Sequence, residues 1–394
     1  VKTKGVHVTV LDVAPPDFMD DENLRLFENA VERFLEREAP PERVAAWRKA
    51  GQVELEFWRQ AGTAGLLGMM VPEEYGGPGG DFRHEIVLAD QLARRDISGF
   101  AASLHNVIVT PYIIAHGTEE QKQRWLPGLV SGALISAIAM SEPDSGSDLQ
   151  AIRTTALRDG NGYRINGQKT FISNGQLANL VIVVAKTDPA ARSRGISLMV
   201  VETEAAEGFR RGRKLEKVGN EAADTSELFF DNVWVPAQNL LGLAEGHGFG
   251  QLMAELPRER LLIAVQAAAE MERALEATLD YVKQRKAFGQ RIIDYQNSQF
   301  KLVECKTKAT IARVFVNHCI GQQLAGKLDA TTAAMAKMWM TDTLCEIVDE
   351  CVQLHGGYGY MTEYPIGRLF RDTRVSRICG GSNEIMKVLI GRTL

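Results

Sequence analysis

The sequence predicts a multidomain α+β chain that runs helical, then β, then helical. Three observations carry this. Residues 20–133 repeat apolar side chains at helical spacing. Residues 134–243 hold three Asn-Gly pairs and several runs of β-forming residues. Beyond Gly250 lie three long stretches without proline, rich in Ala, Leu, Glu, Lys and Gln. The expected domains are residues 1–133, 134–245 and 246–394, which suits a chain of 394 residues at roughly 100–200 per domain.

In the first region, Asp20-Asp21-Glu22 gives an acidic helix start, and Leu24, Phe27, Val31, Phe34 and Leu35 mark one face. Trp47 to Ala61 reads as a second amphipathic segment, closed by the loop Tyr75 to Gly80. Helices resume over Glu85 to Arg94 and after Thr118-Glu119-Glu120-Gln121, a capping signal. In the second region, Asn161-Gly162, Asn166-Gly167 and Asn174-Gly175 predict hairpin turns, because a type I′ turn needs positive φ at both central residues. With the runs Leu180–Ala185, Ile196–Val201 and Leu228–Val235 they predict an antiparallel sheet rather than a βαβ array. In the third, helices are expected over Leu261–Lys286, Ser298–Lys327 and Ala330–Gln353. Gly326 to Asp329 is a short connection suited to antiparallel neighbours.

Composition narrows the function. The net charge of −5 argues against a nucleic-acid binder, whose phosphate affinity needs clustered Lys and Arg. No apolar run reaches the ~18–20 residues of a membrane span. Val1 to Asp12 lacks the apolar core of a signal peptide, and the five cysteines form no C-x-x-C pair, so a reduced, cytoplasmic protein is expected. The histidines show no metal-ligand spacing. Glycine alone is in excess, 36 of 394 residues, against an average near ~7%.

Several segments can carry chemistry. Met140 to Asp148 is a Ser/Gly-rich turn whose hydroxyls and N–H groups suit a polar heterocycle or a phosphate, or simply a capped surface turn. Gln168 to Gly175 sets Phe171 beside Ser173, either a core ring or a ring packed on a cofactor. Glu255 to Leu261 is expected to open the first long C-terminal helix. Its two glutamates, Glu255 and Glu259, share a face, and acidic first turns are common for dipole reasons alone. Arg285 to Gly289 is expected to end that helix with a cation that also suits a diphosphate. Gln353 to Tyr360 and Ile378 to Glu384 are glycine-rich connectors where backbone can approach a ligand closely. His355 has no visible acid partner, and Tyr358 and Tyr360 read as packing.

Together and in this order, four blocks resemble the acyl-CoA dehydrogenase family: Ser141-Glu142-Pro143-x-x-Gly146-Ser147-Asp148, Arg285 to Gly289, Val352 to Tyr360, and Thr362 to Pro365. The resemblance runs from about residue 20 to the end. It is nearest the long-chain branch, because Glu255-Leu256-Pro257-x-Glu259-Arg260-Leu261 and Gly380 to Met386 occur together. It implies an N-terminal helical domain, a β-barrel-like middle domain, a C-terminal four-helix bundle, a homotetramer built as a dimer of dimers, and one FAD per subunit. By the same resemblance Met140, Ser141 and Ser147 contact flavin or CoA phosphates, Phe171 packs on the flavin ring and Ser173 lies near its reactive nitrogen. Arg285, Phe288, Gln353, Gly356 and Gly357 reach the FAD of a neighbouring subunit. Ser382 and Glu384 line FAD in their own subunit, and Ser147, Arg260 and Gly381 lie toward the substrate.

In most of that family the base is a Glu where this chain has Gly380. The long-chain and isovaleryl-type enzymes place it instead on the helix that begins the C-terminal domain, directly before an Arg, here Glu259 before Arg260. By the resemblance, Gly380 keeps the backbone N–H that in the family, with a ribityl hydroxyl of FAD, stabilises an enolate-like thioester oxygen. The resemblance thus implies oxidation of medium- to long-chain acyl-CoA in β-oxidation, with electrons passed to an electron-transferring flavoprotein. The alternatives are an isovaleryl-type branched substrate, or a same-fold flavin oxidase or monooxygenase. Cys379 departs from the Tyr that many members carry, and the tail pocket is expected near Phe100 to Leu104.

Overall fold

The computed structural model describes residues 10–394, so most of Val1 to Asp12, which lacks the apolar core of a signal peptide, lies outside the described residues. The helical region contains α1 (Glu22–Glu38), α2 (Pro41–Ala50), α3 (Leu55–Thr63), α4 (Phe82–Arg94), α5 (Thr110–His116) and α6 (Glu119–Ser131). Asp21 caps α1 by accepting from the Asn23 and Leu24 N–H groups. Trp47 to Ala61 is not one helix. Gly51 takes φ 69° after α2, and the chain re-enters helix only at Leu55, because a left-handed glycine ends a helix. Thr118 and Gln121 form the reciprocal capping box of α6. A π-helical turn, Leu104–Val109, runs into α5, where Pro111 lacks the N–H that continues α-helical bonding.

The β region is one seven-stranded sheet: β1 (Ser136–Ala139), β2 (Thr155–Asp159), β3 (Gly162–Ser173), β4 (Leu180–Lys186), β5 (Ile196–Glu202), β6 (Phe209–Lys214) and β7 (Thr225–Pro236). The order is β1-β4-β2-β3-β7-β6, with β5 also on β4. Two expectations need correction. The sheet is mixed, since β1 and β2 pair with β4 in parallel. Of the three Asn-Gly pairs, only the first adjoins a hairpin, and its loop is Gly160-Asn161. Asn166-Gly167 lies inside β3 at a register shift. A Cβ on Gly167 would sit 2.4 Å from Thr154 Oγ1, so that glycine serves a close approach rather than a turn. Asn174 has positive φ in a turn after β3, and β3 does not pair with β4.

The third region holds α7 (Gly248–Gln284), β8 (Lys286–Ala287), β9 (Gln290–Arg291), α8 (Gln296–Leu324), α9 (Ala330–His355), α10 (Pro365–Thr373) and α11 (Asn383–Gly391). Lys301 pairs with Glu350 and Lys308 with Glu346, so α8 and α9 run antiparallel. Helix α7 starts well before Leu261 and passes through Pro257. It ends at Gln284, and Arg285 leads into the β8–β9 hairpin.

The chain divides into two compact units. One comprises residues 27–88 and 97–256. Here β4 is buried on both faces: Leu180, Ile182 and Val184 join a core with Tyr112, Trp125 and Leu126, while Val181, Val183 and Ala185 join another with Tyr163, Ile165 and Val233. The other comprises residues up to Leu26, 89–96 and 257–394. In it Glu272 is buried and held by Arg94 and Arg313, which spares an unpaired buried charge. No helix among the described residues is long and apolar enough to cross a membrane.

Candidate functional site

In the sheet unit, Met140, Ser141, Phe171 and Ser173 gather around a bulge. Lys169 pairs with Leu228 and Ile172 with Ser226, so Thr170 and Phe171 together face one residue of β7. Phe171 takes φ 60° and leaves its ring 69% exposed. A β-strand does not adopt that conformation for an apolar ring without support, and the support is visible. Lys169 is fully buried and donates to Met140 O (3.0 Å) and Glu142 Oε1 (2.9 Å). Glu142 also accepts from the Arg153 and Thr154 N–H groups, and the Thr170 N–H donates to Ser141 O. The Met140–Glu142 turn is thereby tied to the bulge. Burial pulls the Lys169 ammonium down to about 8 against the pull of Glu142. Burial alone would raise the Glu142 carboxyl, but Lys169 and the other donors hold it below the usual range. Met140 and Ser141 are half-buried, and Ser147 and Ser173 are exposed.

Glu255 and Glu259 do not lie in a first helical turn. Glu259 is the twelfth residue of α7, about three turns in at 3.6 residues per turn, so the helix-start explanation for these acids does not apply. Glu255 is buried with His116 Nε2 3.2 Å from its carboxylate. Glu259 and Arg260 are both buried in the helical unit. Burial lowers the Arg260 guanidinium while the Glu259 carboxylate opposes that shift. Arg260 Nε donates to Gly380 O at 3.4 Å. Gly380 and Gly381 take φ 64° and 89°, a left-handed pair that side chains rarely adopt. Ser382 starts α11, and Glu384 is exposed in its first turn, its carboxyl held low by its own backbone N–H and the Ser382 hydroxyl.

A second group lines a cavity of about 760 Å³ whose wall includes Arg285, Gln353, Gly356, Gly357 and Tyr358. Nothing stands within 4 Å of where a Cβ would project from Gly356 or Gly357, so their backbone is open to a ligand. The Arg285 guanidinium lies 5.4 Å from the Tyr358 ring centre. His355 accounts for its lack of an acid partner: Nδ1 bonds Cys351 O at 2.8 Å and the ring stacks on Tyr281. Tyr360 is 86% exposed, so it is not core packing. Phe288 tips the β8–β9 hairpin, 98% exposed with φ 49°. Cys379 is exposed.

Sequence reading passed over Lys169, Lys337 and the Tyr281 side of the cavity. A signal existed for Lys337: it shares the buried stripe Ala333, Ala336, Met340, Thr341, Leu344 at helical spacing. A charge on that stripe needs partners.

Comparison with known proteins follows the same lines. The profiles of the acyl-CoA dehydrogenase N-terminal, middle and C-terminal domains match residues 21–133, 137–233 and 246–394. The mitochondrial long-chain specific acyl-CoA dehydrogenase of Mus musculus is 48% identical over 371 residues, covering 94% of this chain and 86% of that relative. The crystal structure of an acyl-CoA dehydrogenase from Geobacillus kaustophilus superposes with a TM-score of 0.92 at 49% identity, covering 95% of this chain and 98% of that one. A glutaryl-CoA dehydrogenase from Mycobacterium smegmatis, solved in complex with FADH2, gives 0.88 at 29% identity, covering 97% of each chain. With all three regions matched in order and long-chain specific relatives near half identity across almost its whole length, this chain belongs to the acyl-CoA dehydrogenase family.

Proposed function

We propose that this chain desaturates a medium- to long-chain fatty acyl-CoA between Cα and Cβ, giving the trans-2-enoyl-CoA, with Glu259 as the base and FAD as cofactor. The observation that carries the reading is the meeting of Glu259's turn of α7 with Gly380. Arg260, next in the chain, bonds the Gly380 carbonyl, and position 380 has no carboxylate of its own. The α-proton of a thioester is a very weak acid. A base must therefore be buried, which favours its proton-accepting role, and a donor must face the thioester oxygen. Glu259 meets the first need. Among the described residues no backbone carbonyl accepts from the Gly380 N–H, which leaves it for the second. Glu255, tied to His116, has a structural occupation.

The residues present suit FAD. In the sheet unit Phe171 offers a bare ring, and Met140, Ser141, Ser147 and Ser173 supply hydroxyl and thioether groups; in the helical unit Phe288 offers a bare ring, and Arg285, Gln353, Gly356 and Gly357 suit a diphosphate. Ser382 and Glu384 would hold it near α11. By the family resemblance Ser147 is a CoA contact, and Arg260 and Gly381, in the helical unit, are contacts of the thioester. FAD, when bound, supplies the hydride acceptor. The chain's own contribution is to hold the thioester, receive the proton at the Glu259 carboxylate and keep water out. The family resemblance further supports a homotetramer, a dimer of dimers, in which Arg285 and the Gln353–Gly357 loop serve a neighbouring subunit's FAD. It also supports transfer of electrons to an electron-transferring flavoprotein, within β-oxidation. Five free cysteines accord with a reducing compartment such as the cytoplasm.

The test is an anaerobic titration of the flavin absorbance with acyl-CoAs of graded length and with isovaleryl-CoA. Bleaching that is tightest with medium or long chains supports the proposal. Tightest bleaching by isovaleryl-CoA selects the branched-chain reading. Fast peroxide formation in air selects an oxidase, and no bleaching by any thioester sinks all three.

A further inference from the structure

Lys337 is fully buried on α9. Its Nζ donates to Gly381 O and to Asn383 Oδ1, each at 2.8 Å. The amide of Asn383 donates in turn to Met338 O (3.2 Å), Thr341 Oγ1 (3.0 Å) and Asp342 Oδ1 (2.9 Å). Asp342 also holds Arg377, just before the connector. The two successive carbonyls of the connector thus face two buried cations, Gly380 O toward Arg260 of α7 and Gly381 O toward Lys337 of α9. Among the described residues no carboxylate lies within hydrogen-bonding distance of the ammonium, and burial pushes it down to about 8, so its position is costly. A Met or Leu at this place would complete the stripe without that cost.

We infer that Lys337 is a positioning residue for the thioester-stabilising donor: it locks the left-handed Gly380-Gly381 pair so that the Gly380 N–H stays aimed for the enolate-like oxygen. The inference rests on the proposed reaction. Two adjacent glycines are the least restrained backbone a chain can make. Each trans peptide carries its C=O and N–H in opposite directions, so fixing the Gly380 and Gly381 carbonyls fixes both planes that follow the Gly380 Cα. At the φ of 64° that Gly380 takes, the plane that carries its N–H follows from the plane of its carbonyl. Preorganisation of this kind is where a donor gains its catalytic value.

The experiment uses the holoenzyme with acetoacetyl-CoA, a 3-keto thioester whose enolate absorbs in the ultraviolet. The pH at which the bound ligand ionises reads the strength of the oxygen-facing donor directly. Lys337→Met is expected to raise that pH by about one unit and to cut kcat about ten- to a hundredfold with KM changed far less. Lys337→Gln, which keeps one N–H donor for Gly381 O, is expected to recover part of both. Asn383→Ser, which removes the second acceptor while leaving the ammonium in place, carries the same test should Lys337→Met fail to fold. Unchanged ionisation and kcat in a folded Lys337→Met, with only its melting temperature lowered, overturn the inference and leave the proposed reaction standing. A wild-type enzyme that does not ionise acetoacetyl-CoA overturns the reading of Gly380 and the inference with it.

Discussion

Gly380 stands so close to Ile263 of α7 that a Cβ added at position 380 would lie 2.5 Å from the isoleucine Cδ1. The isoleucine tip can move aside, so the lasting strain on a side chain at position 380 comes from its φ of 64°. Gly380→Ala is expected to destabilise the fold by about 1–3 kcal/mol. Ile263→Ala in the same chain should give back part of that loss, so the two effects fall short of additivity. Thermal unfolding of the two single variants and the double variant checks this. A glutamate placed at 380 in a Glu259→Gln background is expected to leave turnover low.

Glu259 and Glu255 separate by substitution. Glu259→Gln should lower kcat by about 10²–10⁴ while the protein stays yellow. Glu255→Gln should keep turnover within a few fold and lower the melting temperature, because it loosens the buried contact with His116. Steady-state kinetics and absorbance spectra of both variants decide the matter. Near-normal turnover in Glu259→Gln would remove the base assignment.

His105 predicts an acid limb in stability. It is fully buried, its Nε2 bonds Leu129 O, and its Nδ1 faces the Ser136 N–H and hydroxyl. Burial lowers it to about 4 from 6.5. Between those values the unfolded chain binds a proton that the folded chain does not, so stability falls as pH drops from 6.5 toward 4. The group's share is roughly 3 kcal/mol at 1.36 kcal/mol per unit. Chemical denaturation of His105→Gln at a series of pH values should show a flatter slope over that window.

The Lys169–Glu142 pair should be more costly to break than to keep. Lys169→Met leaves a buried carboxylate facing no cation, a loss of about 3–5 kcal/mol. It should also slacken the bulge that presents Phe171. Because the Glu142 carboxyl is held below its usual range, its stabilisation is present above about pH 4.5 and is lost as pH falls below that. Urea unfolding measures the cost, and circular dichroism near the acid transition measures the pH dependence.

Arg285→Ala is expected to weaken FAD retention several fold. The purified variant should have a lower flavin-to-protein absorbance ratio, restored by added FAD, with kcat per bound flavin close to normal. A ratio equal to wild type would place the diphosphate elsewhere.

Much of this was legible in the sequence because it is local. The capping box at Thr118 and the runs that became β4, β5 and β7 depend on near neighbours. So do the helices α8 and α9. What escaped depends on distant partners. Asn166-Gly167 carries a hairpin signal, yet the glycine answers to Thr154 across the sheet. The parallel pairing of β1 with β4 joins segments more than forty residues apart. Pro257 argues for a helix start, yet α7 runs through it. The candidate site divides in the same way. Phe171, Arg285 and the Gly380 connector stand in recognisable blocks. Lys337 is a single lysine on an apolar helical stripe and Lys169 stands between Gln168 and Thr170, and only the carbonyls they meet reveal their work.

Strand β4 has one further consequence. Its alternate residues belong to two separate cores, one shared with helices and one within the sheet. In a strand with one wet face, a slip of one residue exchanges inside for outside and is rejected by solvent. Here Leu180 to Ala185 are apolar on either side, so along that stretch hydrophobicity alone cannot detect the slip. Shape must do it, through the fit of each methyl against Trp125 or Tyr163. Insertions or deletions of one residue in Leu180–Lys186 should therefore produce compact but misregistered chains rather than unfolded ones.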